Sequence, residues 1–174
     1  MDIQFETDYN METLTAMAKS LRKTVRRKRS RRVHIFAAVV LVLGILTILA
    51  TVAGGEPLGA SGVVTLLAML VVILVSLFED RLNAWFARKR LLPGTEHAAA
   101  TFEEDGYVSA TSMSESKFSY AQIVAVAETE RYFVFALSSH HTQAYDKRTI
   151  RGGSVEDFRA FIAEKTGKPV EEIK

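Results

Sequence analysis

The sequence predicts an α+β membrane protein: a two-helix transmembrane hairpin joined to a small antiparallel β domain that ends in a helix. Three observations predict it. Two long apolar runs, Val33–Val52 and Ala60–Phe78, are separated by a short Gly-rich connection. Basic residues flank these runs at their outer ends only. From His97 onward the apolar residues switch to the period of two that marks strands, until a last stretch returns to helical spacing.

The 174 residues suffice for one domain plus extras. The formal net charge of +2 averages two unlike parts. Arg22, Lys23, Arg26, Arg27, Lys28, Arg29, Arg31 and Arg32 form a basic cluster ahead of the first apolar run. Residues 93–174 hold 13 acidic and 9 basic residues, a net of −4 (9 − 13). An acidic domain repels phosphates, so no nucleic-acid partner is expected. There is no Cys, which excludes disulfides, thiolate catalysis and Cys-type zinc sites.

Residues 1–32 read as a strand and a helix. Ile3 and Phe5 alternate with polar neighbours, as in a short strand. Thr7 or Asp8 is the expected cap of a helix that starts with Tyr9. Leu14, Met17, Leu21 and Val25 share one face of that helix. It is expected to run unbroken into the first span, and its apolar stripe to pack on the soluble domain rather than lie on the membrane.

Residues 33–92 read as the hairpin and a juxtamembrane helix. The twenty residues Val33–Val52 make a helix about 30 Å long, the thickness of a bilayer's hydrocarbon core. Ala60–Phe78 is nearly as long, and "AGGEPLGAS" between them is a tight connection. Between Val33 and Phe78 there is no Lys or Arg, and the sole acidic residue is Glu56 in the connection. Basic residues near span ends stay on the cytoplasmic side. The cluster before the first span and Arg81, Arg88, Lys89 and Arg90 after the second therefore place both termini in the cytoplasm. The expected location is a membrane, with the chain crossing it twice. A cleaved signal has a shorter apolar core and starts earlier. The basic residues are expected to meet anionic headgroups of the bilayer. Spans without buried charge make a poor channel or carrier. Small residues Ala37, Gly44 and Thr51 share a face of the first span, and Thr65, Ala68 and Ser76 a face of the second. They are expected to pack within the hairpin, the alternative being a dimer contact. "EDRLNAWFARKRLLPG" continues as helix, with Leu82, Trp85 and Phe86 on one side, until Pro93-Gly94 stops it.

Residues 93–174 read as strands and a helix. Two alternating runs flank Asp105-Gly106, a hairpin signal. Further strands are expected near 116–120, 122–129, 131–138 and 142–148. "YFVFAL" is apolar on both faces and should be the most buried strand. Ser154 caps the last helix with Asp157 as capping-box partner. Val155, Phe158, Phe161 and Ile162 form its apolar stripe, and Gly167 and Pro169 end it. These elements describe a curved sheet or partial barrel with the helix over an open side.

The stretches "FEEDGYVSAT" (Phe102–Thr111), "FSYAQIVAVAETERYFVFAL" (Phe118–Leu137), "YDKR" (Tyr145–Arg148) and "GSVEDFRAFIAEKTGK" (Gly153–Lys168) resemble the YcxB-like family of bacterial membrane proteins. The resemblance extends over nearly the whole chain in the order of its elements. The strand–turn–helix order is also similar to bacterial pleckstrin-homology-like (PH-like) domains, in which about seven strands form a barrel plugged by a C-terminal helix. The resemblance implies a PH-like antiparallel β-barrel or sheet on the cytoplasmic face, with Ile3–Phe5 as a candidate extra strand. It implies no reaction.

Candidate sites are few. Arg148, Arg151, Gly152, Gly153 and Ser154 open a helix and are candidates for anion or headgroup contact, set against a plain turn and cap. Adjacent His140 and His141 point to opposite faces if they lie in a strand, which disfavours a shared metal. Glu103, Glu104 and Asp105 lack the spaced ligands of a calcium loop. Tyr107, Phe118, Tyr120, Tyr132, Phe133 and Phe135 read as core. No catalytic motif, metal or cofactor is expected. The favoured function is a non-enzymatic membrane protein displaying a binding or scaffolding domain to a protein partner, a headgroup or a second copy of itself. The alternatives are a metal-dependent sensor or enzyme using His140, His141 and Asp146, and an oligomeric membrane platform.

Overall fold

The N-terminal strand belongs to the C-terminal domain. In the computed structural model, which describes residues 2–174, β1 (Ile3–Asp8) pairs antiparallel with β2 (His97–Phe102) along its whole length, from Ile3 opposite Phe102 to Asp8 opposite His97. Strand alternation buries Ile3, Phe5 and Thr7 and leaves their neighbours outside. Between these strands run α1 (Met11–Lys23), α2 (Arg27–Ala53), α3 (Ala60–Leu77) and α4 (Glu79–Arg90). After β2 come β3 (Tyr107–Thr111), β4 (Glu115–Phe118), β5 (Ala125–Glu128), β6 (Tyr132–Ala136), β7 (Thr142–Asp146), α5 (Val155–Thr166) and β8 (Val170–Glu172).

The strands form two four-stranded sheets, ordered β1-β2-β3-β4 and β7-β6-β5-β8. They adjoin at β1 and β7, where the Asp146 N–H donates to the Thr7 hydroxyl (3.1 Å). Among the described residues no ladder joins them into a closed barrel, which corrects the barrel form of the expected fold. The inner faces enclose an aromatic core of Phe5, Phe102, Tyr107, Phe133, Phe135 and Tyr145. Helix α5 adds Phe158 and Ile162, both fully buried. Its start and stop follow the sequence signals: Ser154 and Asp157 form the capping box, and Gly167 adopts the left-handed conformation (φ 63°).

Strand β6 is buried on both faces, and each face has its own cover. Phe133 and Phe135 enter the core, whereas Tyr132 and Val134 join Ala127, Ala144 and Ile173 in a second cluster. Ala16 and Met17 of α1 pack on that second cluster. Of the expected α1 stripe only Met17, with Ala16 beside it, covers the outer face of the sheet; Leu14 and Leu21 line the cleft beside α4, and Val25 falls in the turn after α1.

Several boundaries differ from expectation. Helix α1 starts at Met11, because Asn10 rather than Thr7 or Asp8 is the cap: its Oδ1 accepts the N–H groups of Glu12 and Thr13 (2.9 and 3.1 Å). Thr7 and Asp8 are held in β1 by the ladder. The expected continuous rod breaks at Thr24–Arg26, where the Thr24 backbone leaves the helical region. A straight rod could not serve both halves: α1 has one apolar face for the sheet, whereas α2 is apolar all round. A second break at Phe78 separates α3 from α4. The strand expected from 122 starts at Ala125, because Ser119 caps a short 3₁₀ turn at Tyr120–Gln122. Strand β8, parallel to β5, has no counterpart among the expected strands.

Helices α2 and α3 are long and apolar enough to cross a membrane and pack side by side. Apart from Val40, which lies beside Leu41, their less exposed residues follow a 3–4 alternation: Ala37, Leu41, Gly44, Ile48 and Thr51 on α2, and Gly62, Thr65, Met69, Val72 and Ser76 on α3. This is the seven-residue repeat of a left-handed pair. A Cβ on Gly44 would lie 2.6 Å from Met69 Sδ, so this glycine admits the Met69 side chain. The stripes expected from small residues hold with one correction: Ala68 is exposed, and Met69 takes its place in the seam.

One buried carboxylate links the C-terminal helix to the sheet. Glu128 accepts two hydrogen bonds from Arg159 (2.6 and 2.8 Å) and one from Lys147 (2.9 Å). The Arg159 hydrogen bonds, helped by Lys147 and opposed by burial, hold its pKa below the ordinary carboxylate value. A folded pKa below the unfolded one confers stability above the unfolded value and loses it as pH falls through the folded one. Glu128→Gln is therefore expected to cost about 2 kcal/mol at neutral pH and to flatten the acid limb of the stability profile below about pH 5. Thermal unfolding of the detergent-solubilised chain across pH measures both effects.

Candidate functional site

At the foot of the α2–α3 pair lies a cleft of about 630 Å³. It is bounded by α1, the first two turns of α2, α4 and the β6–β7 loop. Leu14, Met17 and Leu21 of α1, Val33 of α2 and Phe86 of α4 supply apolar lining. The polar lining is mostly cationic: Arg22, Arg26, Arg29 and Arg90, with His140 from the loop and Glu79 as the lining carboxylate.

The four arginines have different duties. Arg22 is a structural clamp: its Nε and Nη2 donate to the two oxygens of Asp80, each at 2.7 Å. Glu79 lies 3.8 Å from Arg22 and 3.7 Å from His34 Nε2, so one polar knot ties α1, α2 and α4 together. Arg26 Nε donates to the Ser139 carbonyl (2.6 Å), which fastens the α1–α2 junction to the β6–β7 loop without cancelling the charge. Among the described residues Arg26, Arg29 and Arg90 form no ion pair. The side chains of Arg22 and Asp80 are about three-quarters or more buried. Asp80→Asn is therefore expected to destabilise the seating of α1 on α4 by about 1–2 kcal/mol. A double-mutant cycle with Arg22→Gln on thermal unfolding checks it, and the two losses should not add.

The basic cluster thus divides. Arg22 and Arg26 are half-buried in the cleft and Arg29 and Arg90 are exposed along its lining, whereas Arg27, Lys28, Arg31 and Arg32 are exposed on α2 away from it. Lys23 Nζ donates to the carbonyl of Lys174 (2.7 Å). Lys89 Nζ sits 3.6 Å from the centre of the Trp85 ring, and Arg88 is exposed. Linear charge density identified the cluster, but only the packing of α1 against α4 separates cleft arginines from surface ones. Nothing local in the sequence marks His140 as a neighbour of this cleft.

The residues expected at the start of α5 are engaged elsewhere. Arg148 binds Asp146 through Nε (3.2 Å) and Nη2 (3.0 Å). Arg151 exchanges both backbone hydrogen bonds with Gln4 and lies 3.3 Å from the Glu6 carboxylate. Gly152 has φ 82°, and a Cβ there would stand 2.2 Å from the Asp2 carbonyl, so close approach to the N-terminal strand requires glycine. Gly153 is exposed. The N–H and hydroxyl of Ser154 donate to Asp157 (3.1 and 2.7 Å), which places the protein's own carboxylate at the helix start.

His140 and His141 sit in the β6–β7 turn, where both N–H groups donate to the Ser138 hydroxyl (3.1 and 3.0 Å). Asp146 is at the far end of β7, about 16 Å along the strand from His141. It is held there by Arg131 and Arg148. Among the described residues no three metal-ligating side chains come together. In the acidic turn, Glu104 pairs with Lys165, whose hydrogen bond holds the Glu104 pKa down. Tyr107 and Tyr145 both donate to Gln143 Oε1 (2.7 and 2.8 Å), and burial pushes both phenols up. The aromatic residues serve as core.

Residues 102–162 match the family model described as YcxB-like protein. The matched stretch runs from the end of β2 into α5, and so falls on the β domain, outside β1 and the four helices that follow it. The match supports the YcxB-like resemblance for that part of the chain. No curated protein and no solved structure matches the sequence.

Proposed function

We propose that the chain is a non-enzymatic integral protein of the bacterial inner membrane, which holds a PH-like β domain against the cytoplasmic face as a binding or scaffolding module. One observation carries the reading. Twenty large apolar side chains on α2 and α3 are exposed, with no charge between Val33 and the connecting loop or between that loop and Phe78. In water such a surface would be an aggregation hazard. In lipid each such residue contributes about −0.3 to −0.6 kcal/mol, roughly −6 to −12 kcal/mol in sum.

The charges support the direction. The flanking basic residues and the β domain lie at the same end of the helical pair, and the opposite end carries only Glu56. Trp85 under Lys89 suits the interface of that basic end. The order of strands followed by α5 supports the PH-like relation, with two sheets in place of a closed barrel. The domain offers a free sheet edge at β4, where an extended protein segment could add as a strand. Glu115 and Lys117 on β4 would deter unselective pairing. Washing cell membranes with alkaline carbonate is expected to leave the full chain in the pellet, to be released by detergent alone. Recovery in the carbonate supernatant would contradict an integral anchor.

A further inference from the structure

We propose that the cleft between α1, α2, α4 and the β6–β7 loop is a binding site for the headgroup of an anionic phospholipid. The proposal rests on the membrane reading above and adds a defined site to it, distinct from diffuse attraction by the basic cluster.

Three features converge. The first is charge: Arg26, Arg29 and Arg90 line the cleft and form no ion pair among the described residues. The facing carboxylate, Glu79, is shared between Arg22 and His34, and Asp80 is bound by Arg22. The cleft is left with uncompensated positive charge from two places far apart in the chain, the start of α2 and the end of α4. The second is depth. Val33 opens the charge-free interval and Glu79 follows its end, and both line the cleft. The cleft therefore lies at the level where a bilayer's phosphates lie. The third is the mixed lining. Val33 and Phe86 are half-exposed and continue the apolar surface of the helical pair into the cleft. A phospholipid fits all three: its phosphate meets the arginines while its acyl chains stay against Val33 and Phe86. A free phosphate would leave those apolar walls unused. Guanidinium groups suit the task, since they bind phosphate oxygens in pairs and shed water more readily than ammonium.

Trp85 is the sole tryptophan and stacks edge-on against Phe86 of the cleft (ring centroids 4.9 Å), so it is a built-in reporter. The full chain is reconstituted into phosphatidylcholine vesicles that carry brominated phosphatidylglycerol or brominated phosphatidylcholine, and Trp85 quenching is compared. The expected result is an association of phosphatidylglycerol about tenfold stronger than that of phosphatidylcholine. Arg26→Gln/Arg29→Gln/Arg90→Gln should bring the ratio to about one, while the matching Lys substitutions, which keep the charge but not the paired hydrogen bonds, should retain part of it. Arg27→Gln/Lys28→Gln/Arg31→Gln removes as much charge from α2 residues that do not line the cleft and should leave the ratio within about twofold. Millimolar inorganic phosphate, at matched ionic strength, should not displace the lipid. Equal loss in both Gln variants, no preference in the native chain, or displacement by phosphate would each overturn the site. Absence of quenching even by brominated phosphatidylcholine would instead overturn the membrane reading beneath it.

Discussion

Removing residues 2–9 is expected to unfold the β domain, although the deletion lies nearly ninety residues from it in sequence. Strand β1 pairs with β2 at six positions and borders β7 on its other side. Ile3 and Phe5 are fully buried. The Phe5 ring lies 4.7 Å from Phe158 and 5.7 Å from both Phe102 and Tyr145, centroid to centroid. Losing two large core side chains costs about 2–5 kcal/mol each, and the severed ladder adds about 1 kcal/mol per hydrogen bond. That sum is about as large as the whole stability of a typical domain, about 5–15 kcal/mol. The truncated chain in detergent should lose its cooperative thermal transition and its near-UV dichroism while keeping the helical signal of α2 and α3. A retained transition near the native midpoint would show β1 to be dispensable.

Phe158→Ala should be the most damaging single substitution in α5. The ring is fully buried, with centroids 4.7–5.0 Å from Phe5, Phe102 and Phe133. It joins both sheets, because Phe5 and Phe102 belong to one and Phe133 to the other. The expected loss is about 3–5 kcal/mol, since the cavity would lie between rigid rings that cannot collapse into it. Phe161→Ala, at a partly buried position one turn on, should cost clearly less. Denaturant unfolding of both variants provides the comparison, and equal losses would contradict this account of the core.

How much was legible follows from how local each signal is. The apolar runs, the Ser154–Asp157 box, the left-handed Gly167 and the two-faced apolar strand β6 depend on neighbours within a few residues, and each is where the sequence places it. The break at Thr24–Arg26 was not legible, because α1 and α2 are both good helix on either side of it. The break exists to satisfy two different surroundings, and only tertiary packing reveals them. Strand β8 has no local signal, because three residues after Pro169 carry no periodicity and parallel pairing with β5 supplies the structure. The candidate sites divide along the same line. A string of arginines is visible in sequence, but which of them face a common cleft depends on α1 folding back against α4. Gly152 invited an anion-binding reading, and the approach of the Asp2 carbonyl supplies a structural need for it that no local pattern could display.

The absence of cysteine in the native chain makes its placement directly measurable. Single substitutions Asp2→Cys, Glu56→Cys and Lys174→Cys are each treated with a membrane-impermeant maleimide, on intact spheroplasts and after lysis. The account predicts that Glu56→Cys is labelled from outside, whereas Asp2→Cys and Lys174→Cys react only once the membrane is opened. Labelling of either terminus from outside, or protection of Glu56→Cys until lysis, would contradict a hairpin that leaves both ends of the β domain in the cytoplasm.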